Sequence, residues 1–139
     1  MSRRDDLHLP LRRTLEKDGW TITNDPFILV LAETALKADL GAEKFFAAEK
    51  EGRKIAVEIK GFDSPSPISE LEKTIGQLQL YQLVLEFQEP ERQLFLAISQ
   101  AKYLEHFQKQ IFQLAVRRSR INLLVYEPEQ EVIVRWIPY

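Results

Sequence analysis

A chain of 139 residues, 45% hydrophobic and 29% charged, is sized and composed for a single globular domain over 1–139. Its formal net charge of −2 excludes a broad basic surface, so nucleic acid would have to be met by local basic groups, a partner, or divalent ions that screen the phosphates. No cysteine means no disulfide, thiolate zinc site or thiol nucleophile, and neither a membrane-spanning run of about 18–20 apolar residues nor an apolar leader follows the polar start Met1-Ser2-Arg3-Arg4, so the cytoplasm is the expected location.

In chain order, Leu7, Leu11 and Leu15 recur at helical spacing and predict a helix from about 7 to 17, stopped by Asp18-Gly19. Pro10 is tolerable there only in the first turn. Trp20 to Thr23 reads as a strand, Asn24-Asp25-Pro26 as a break, and Phe27 to Leu31 as another extended piece. Two runs, Leu40 to Lys50 and Lys54 to Lys60, flank the turn Glu51-Gly52-Arg53 and form a hairpin. Asp63-Ser64-Pro65-Ser66-Pro67 is a loop by composition. Ser69 and Glu72 make a capping box for a helix with Leu71, Ile75, Leu78 and Leu85 on one face. The apolar run Leu94 to Ile98 suits a buried central strand. Lys102 to Arg118 reads as one long helix, and Ile121 to Tyr126 with Val132 to Ile137 as a final hairpin. The expected fold class is α/β, an α+β mixed sheet with flanking helices.

Chemistry concentrates on one strand. In Ile55-Ala56-Val57-Glu58-Ile59-Lys60, alternation puts Ile55, Val57 and Ile59 on one face and Ala56, Glu58 and Lys60 on the other. A carboxylate and an ammonium on an apolar strand are expensive to desolvate, so they need each other, further polar partners, or a metal and a substrate. Asp39 and Glu58, with the carbonyl of Ile59, offer the hard oxygen ligands that suit Mg²⁺ or Mn²⁺. Lys60 would then orient or deprotonate water and stabilise charge on a phosphate. The plain alternative is a solvent-facing ion pair. Gln77 and Tyr81 share a polar helix stripe with Ser69 and Lys73, placed roughly opposite the leucine face; it looks either into the same cleft or into solvent. Arg117-Arg118-Ser119-Arg120 is a dense basic patch that either meets phosphates or complements a helix dipole.

Asp39, then Glu58-Ile59-Lys60, then Gln77-x-x-x-Tyr81 resemble the PD-(D/E)XK nuclease superfamily, the last element being that of its RecB-like branch. More specifically, Lys17-Asp18-Gly19-Trp20-Thr21-Ile22-Thr23, Asp39-Leu40-Gly41-Ala42-Glu43-Lys44, Ile55 to Lys60, Gly76-Gln77 with Leu80-Tyr81, and Val132 to Pro138 resemble the XisH family, the fdxN-element excision controlling factors. The resemblance implies a restriction-endonuclease-like core, αβββαβ, followed by a C-terminal helix and β-hairpin. It implies a role in programmed excision of a DNA element, with DNA and a XisI-like protein as partners and a homo-oligomer as a further option. The implied activity is Mg²⁺-dependent phosphodiester hydrolysis, as an endonuclease or nicking component, with Asp39, Glu58, Lys60, Gln77 and Tyr81 as the catalytic set. The alternative is a non-catalytic regulatory or DNA-binding subunit on the same fold.

Two features depart from the superfamily pattern. Where many members carry a first-helix glutamate, spacing back from Gly19 finds His8, a phosphate contact, a base, or a surface histidine; Glu16 is the substitute ligand. A turn at Gly52 also pairs Glu58 with Phe45 and Phe46 rather than with Asp39. Asp39 then reaches Glu58 only through a bend near Gly41, and otherwise Glu43 or Glu49 becomes the second ligand.

Overall fold

The structure, a computed structural model, describes residues 3–29 and 45–139, with side chains for 7–29 and 45–139. The described elements are α1 (Arg3–Lys17), β1 (Thr21–Asn24), β2 (Phe45–Lys50), β3 (Arg53–Ile59), α2 (Pro67–Gln88), β4 (Gln93–Ser99), α3 (Gln100–His106), α4 (Gln110–Arg118), β5 (Asn122–Glu127) and β6 (Val132–Ile137). The strands join one six-stranded sheet in chain order. β1–β2, β2–β3 and β5–β6 run antiparallel, while β3–β4 and β4–β5 are parallel.

That topology sorts the helices. Parallel neighbours need crossovers, and both crossovers have the same hand, so α2, α3 and α4 fall on one face of the sheet. There Leu71, Leu78, Tyr81, Phe107 and Phe112 pack with Phe45, Ala56 and Leu96. The opposite face is covered by α1, whose Leu11 and Leu15 pack on Phe46, Val57, Ile59 and Tyr126. Successive β3 residues therefore enter two different cores. The αβββαβ order is the one expected.

Several local expectations are corrected. Pro10 lies inside α1, not in its first turn; the Thr14 hydroxyl donates to the Pro10 carbonyl at 2.7 Å, and docking of Leu11 and Leu15 holds the helix across the missing N–H. Residues 27–29 join no strand; Phe27 and Leu29 plug the α2 core instead, and residues 30 and 31 lie outside the described residues. The α2 helix starts at Pro67 with Ser66 as N-cap, its side chain accepting from Ser69 N–H, because proline suits the first helical position that composition assigns to a loop. The single helix expected over 102–118 is two, α3 and α4, with residues 107–109 between them. In an unbroken helix Phe107 and Phe112 would diverge by about 140°. The break turns both rings onto Phe62, with centroids 5.1 and 6.3 Å away.

Candidate active site at the end of strand β3

The β2–β3 hairpin is tight because Glu51 (φ 51°) and Gly52 (φ 81°) take the two left-handed positions of a type I′ turn. This fixes the register: Phe45 pairs with Glu58 and Glu49 with Lys54. Directly opposed residues share a face, so Glu58 lies beside Phe45 on the α2 side and, across the parallel ladder, beside Leu96. It is 1% exposed. From above, the Tyr81 hydroxyl donates to the Glu58 carboxylate, and the Gln77 side-chain amide donates to the Tyr81 oxygen at 2.8 Å. The Phe45 and Tyr81 rings stack at 4.4 Å between centroids and seal that side. Burial first, and then the Glu58 charge, push the Tyr81 pKa well above its ordinary value. Tyr81 is therefore a neutral donor at any physiological pH. The chain Gln77→Tyr81→Glu58 sets the orientation of the carboxylate from a rigid helix.

Lys60 follows on the same face, with Nζ 3.8 Å from Glu58 Oε2 and its side chain 21% exposed. It stands between the buried carboxylate and solvent. The Lys60 N–H donates to the Ala97 carbonyl at 3.3 Å. In a trans peptide the Ile59 carbonyl then points the other way, toward the β2 side, where the described pairing ends at Phe45–Glu58. The next turn is pinned. Glu70 on α2 accepts from the Phe62 N–H at 2.9 Å, Phe62 holds a left-handed φ of 51°, and its ring is buried. A Cβ on Gly61 would fall 2.6 Å from Asp63 Oδ2, and Lys102 approaches Asp63 Oδ1 at 3.6 Å. Asp63 and Glu70 escape sequence reasoning, which reads the stretch after Lys60 as an ordinary loop; their one signal is an acid just beyond the Glu-x-Lys strand.

The remaining predicted residues are not all gathered here. Asp39 and Glu43 lie outside the described residues. Glu49 stands four register positions from Glu58, about 13 Å along the hairpin, too far to share an ion with it. Gln77 is half-buried and Tyr81 fully buried, on the sheet-facing side of α2 rather than opposite the leucines, whereas Ser69 and Lys73 are exposed. His8 is no surface histidine: it is 4% exposed, its Nε2 lies 2.6 Å from Asp25 Oδ2, and its ring meets Phe46 edge-on at 5.9 Å. Phe46 belongs to the α1-side core, so His8 faces away from Glu58. Glu16 is exposed on α1, 3.9 Å from Arg12. No group of three acids or histidines able to hold a metal occurs among the described residues. What the described site offers is one oriented carboxylate and one backbone carbonyl, both hard oxygen donors that suit Mg²⁺, with an ammonium on the solvent side.

The fold is shared with known proteins. The sequence model of the XisH protein family matches residues 1–134. A crystal structure of an XisH family protein from Nostoc punctiforme PCC 73102 is 39% identical, superposes with a TM-score of 0.84, and aligns over 95% of this chain and 98% of its own. A crystal structure of an fdxN element excision controlling factor protein from Anabaena variabilis is 38% identical with a TM-score of 0.84, over 96% and 98% of the two chains. None of the curated proteins compared with the chain matches it. A family match over nearly the whole sequence, with relatives close to 40% identical along their full length, means that this chain belongs to the XisH family.

Proposed function

We propose that this protein acts in the excision of a DNA element as a Mg²⁺-dependent phosphodiester hydrolase, an endonuclease or nicking component. The observation that carries the reading is Glu58: a fully buried carboxylate oriented by the neutral donor Tyr81, with Lys60 3.8 Å away on the solvent side. Support for excision comes from the Anabaena variabilis relative, described as an fdxN element excision controlling factor.

Glu58 and the Ile59 carbonyl would hold the cation, with Asp39 or Glu43 as the second carboxylate. The ion, Mg²⁺ or Mn²⁺, supplies charge neutralisation of the phosphate and a more acidic bound water. Tyr81 and Gln77 keep Glu58 in one rotamer, so no reorganisation is needed as substrate arrives. Lys60 donates to a non-bridging phosphate oxygen and stabilises the negative charge that grows there. A XisI-like protein partner, DNA as substrate, and a homo-oligomer belong to the same proposal.

The test is conversion of supercoiled plasmid to nicked or linear form, with Mg²⁺ or Mn²⁺ against EDTA, for the natural chain, Glu58→Gln and Lys60→Ala. Cleavage that needs the metal and vanishes in both folded variants supports the reading. A chain that neither cuts any DNA form, alone or with the partner, nor binds Mg²⁺ by calorimetry sinks it. That outcome would leave the second reading, a regulatory or DNA-binding subunit on a nuclease-like fold.

A further inference from the structure

The cations of this chain are unevenly matched. Arg13 and Lys17 meet Glu131, Lys50 meets Asp18, Lys54 meets Glu91 and Arg92 meets Glu89. Arg117, Arg118 and Arg120, clustered at the end of α4, meet no carboxylate among the described residues. Arg117 and Arg118 lie in the last helical turn, where the helix dipole alone would explain them. Arg120 lies beyond that turn and has no such explanation.

Its backbone sharpens the point. The α1 and α4 helices end in the same motif. At α1, Trp20 N–H donates to Leu15 O and Gly19 N–H to Glu16 O, both at 3.0 Å. At α4, Ile121 N–H donates to Val116 O at 3.0 Å and Arg120 N–H to Arg117 O at 3.2 Å. The residue after the cap is left-handed in each, φ 95° for Gly19 and φ 54° for Arg120. Glycine is the favoured occupant of that position, because a Cβ is strained there. The chain uses glycine at one helix end and keeps an arginine at the other.

Arg120 and Ser119 border a cavity of about 410 Å³ whose other polar walls are Gln79, Gln82, Gln93 and Asn122, with the charged Glu86 and Arg92 and the terminal Tyr139 at its edge. Gln79 donates to the Ser119 carbonyl at 2.9 Å, and Asn122 donates to Leu94 O at 3.0 Å, so the arginine turn is anchored to α2 and β4. The ladder aligns Asn122 with Phe95 and Phe95 with Val57, which puts this cavity two strands, roughly 10 Å, across from the Glu58 strand. The two lie on opposite flanks of α2: Gln77 and Tyr81 face Glu58, Gln79 and Gln82 face the cavity.

We propose that Arg117, Arg118 and Arg120 form a nucleic-acid anchor that takes backbone phosphates, with Gln82 and Gln93 as neutral donors in the cavity beside Arg120. Guanidinium groups suit phosphate oxygens through their forked donors, and contacts of this kind fix position without reading sequence. The inference rests on the DNA-directed reading above, but it needs no metal and no cleavage.

The experiment is fluorescence anisotropy with a labelled random-sequence duplex in EDTA, across a salt series. The natural chain and Lys54→Gln, which removes a surface cation paired with Glu91, should bind alike. Arg117→Gln combined with Arg118→Gln and Arg120→Gly should lower affinity about tenfold per lost contact at low salt and flatten the log–log salt slope by about 2–3. Arg120→Gly alone should bind about tenfold more weakly while melting about 2–4 °C higher, since glycine relieves the left-handed strain. A salt slope unchanged in the triple variant, as expected were the arginines to serve an acidic protein partner, overturns the proposal. So does failure of the natural chain to bind DNA in EDTA. Failure of cleavage alone, with the arginine effect intact, removes the nuclease reading and leaves the anchor standing.

Discussion

Two carboxylates are buried on opposite sides of one sheet, and their surroundings differ in kind. On the α1 side, the Asp25 side chain is 7% exposed and has two nitrogen partners at contact distance, the His8 Nε2 at 2.6 Å and the Arg12 guanidinium Nη1 at 3.0 Å. On the α2 side, Glu58 is held by a neutral phenol, and its cation stands 3.8 Å off at the rim. The first arrangement uses up its negative charge locally, as a structural ion pair does. The second orients a charge and leaves Lys60 turned toward solvent, which is what a site awaiting a phosphate and a cation requires. The comparison separates two acids that composition and spacing cannot tell apart.

The largest expected effect tests that separation. Glu58→Gln and Lys60→Ala should each lower metal-dependent DNA cleavage about a hundred- to a thousandfold, while thermal melting shows both variants folded. Asp25→Ala should do the opposite. It strands a buried histidine and one face of Arg12, so unfolding free energy should fall by about 3 kcal/mol, with cleavage per folded molecule unchanged. Urea titrations paired with plasmid assays check both. If the two carboxylates gave the same pattern, the distinction between them would fail.

The physics of the strand explains why this much was legible. Ile55 to Lys60 alternates cleanly, and the Gly52 turn narrows the register, so the sequence alone places Glu58 opposite Phe45 and Phe46, and the pair found is Phe45–Glu58. Tyr81 is misplaced because the buried face of α2 is wider than its leucines: Leu71, Leu78 and Leu85 share it with Thr74 and Tyr81, and a phenol whose oxygen has a partner buries as readily as an apolar ring. His8 is misread because its partner, Asp25, comes from the break after β1, seventeen residues on, and no local pattern joins them. Ser66 loses to Ser69 as predicted cap because two prolines flank it, though one of them in fact starts the helix. Sheet periodicity is local and readable; contacts across the core are not.

Tyr81→Phe is the next test, and it addresses the neutral donor itself. The ring stays and only the hydroxyl goes, so the Phe45 stacking survives while Glu58 loses an oriented partner. The expected loss is about 1–2 kcal/mol of stability, with a further drop in cleavage as Glu58 gains rotamer freedom. The alkaline limb gives an independent readout. The folded-state pKa of Tyr81 is raised above the unfolded value of 10.0, so its contribution is complete below that pH and is lost as pH rises above it. Unfolding free energy should therefore fall on the alkaline side, and fall less steeply in Tyr81→Phe. The slope that remains belongs to Tyr126, whose burial raises its pKa as well. A Tyr81→Phe chain with the natural alkaline slope would show that the phenol is not held neutral by burial and the Glu58 charge.

The smallest effect is at Glu131, a carboxylate of a third kind, paired at the surface. Its side chain accepts from Arg13 at 2.6 Å and meets Lys17 at 3.1 Å, tying α1 to the turn between β5 and β6. The Arg13 and Lys17 hydrogen bonds hold its pKa below the ordinary 4.5. A depressed carboxyl contributes stability that is present above the unfolded pKa and lost as pH falls through the folded one, so this contact weakens only in acid, below about pH 4.5. Glu131→Gln should leave the melting temperature near neutral pH almost unchanged and flatten its decline in acid, and added salt should shrink the difference, because exposed pairs are screened. A Glu131→Gln chain that loses several degrees at neutral pH and high salt would mean that the hairpin turn depends on this residue for more than its charge.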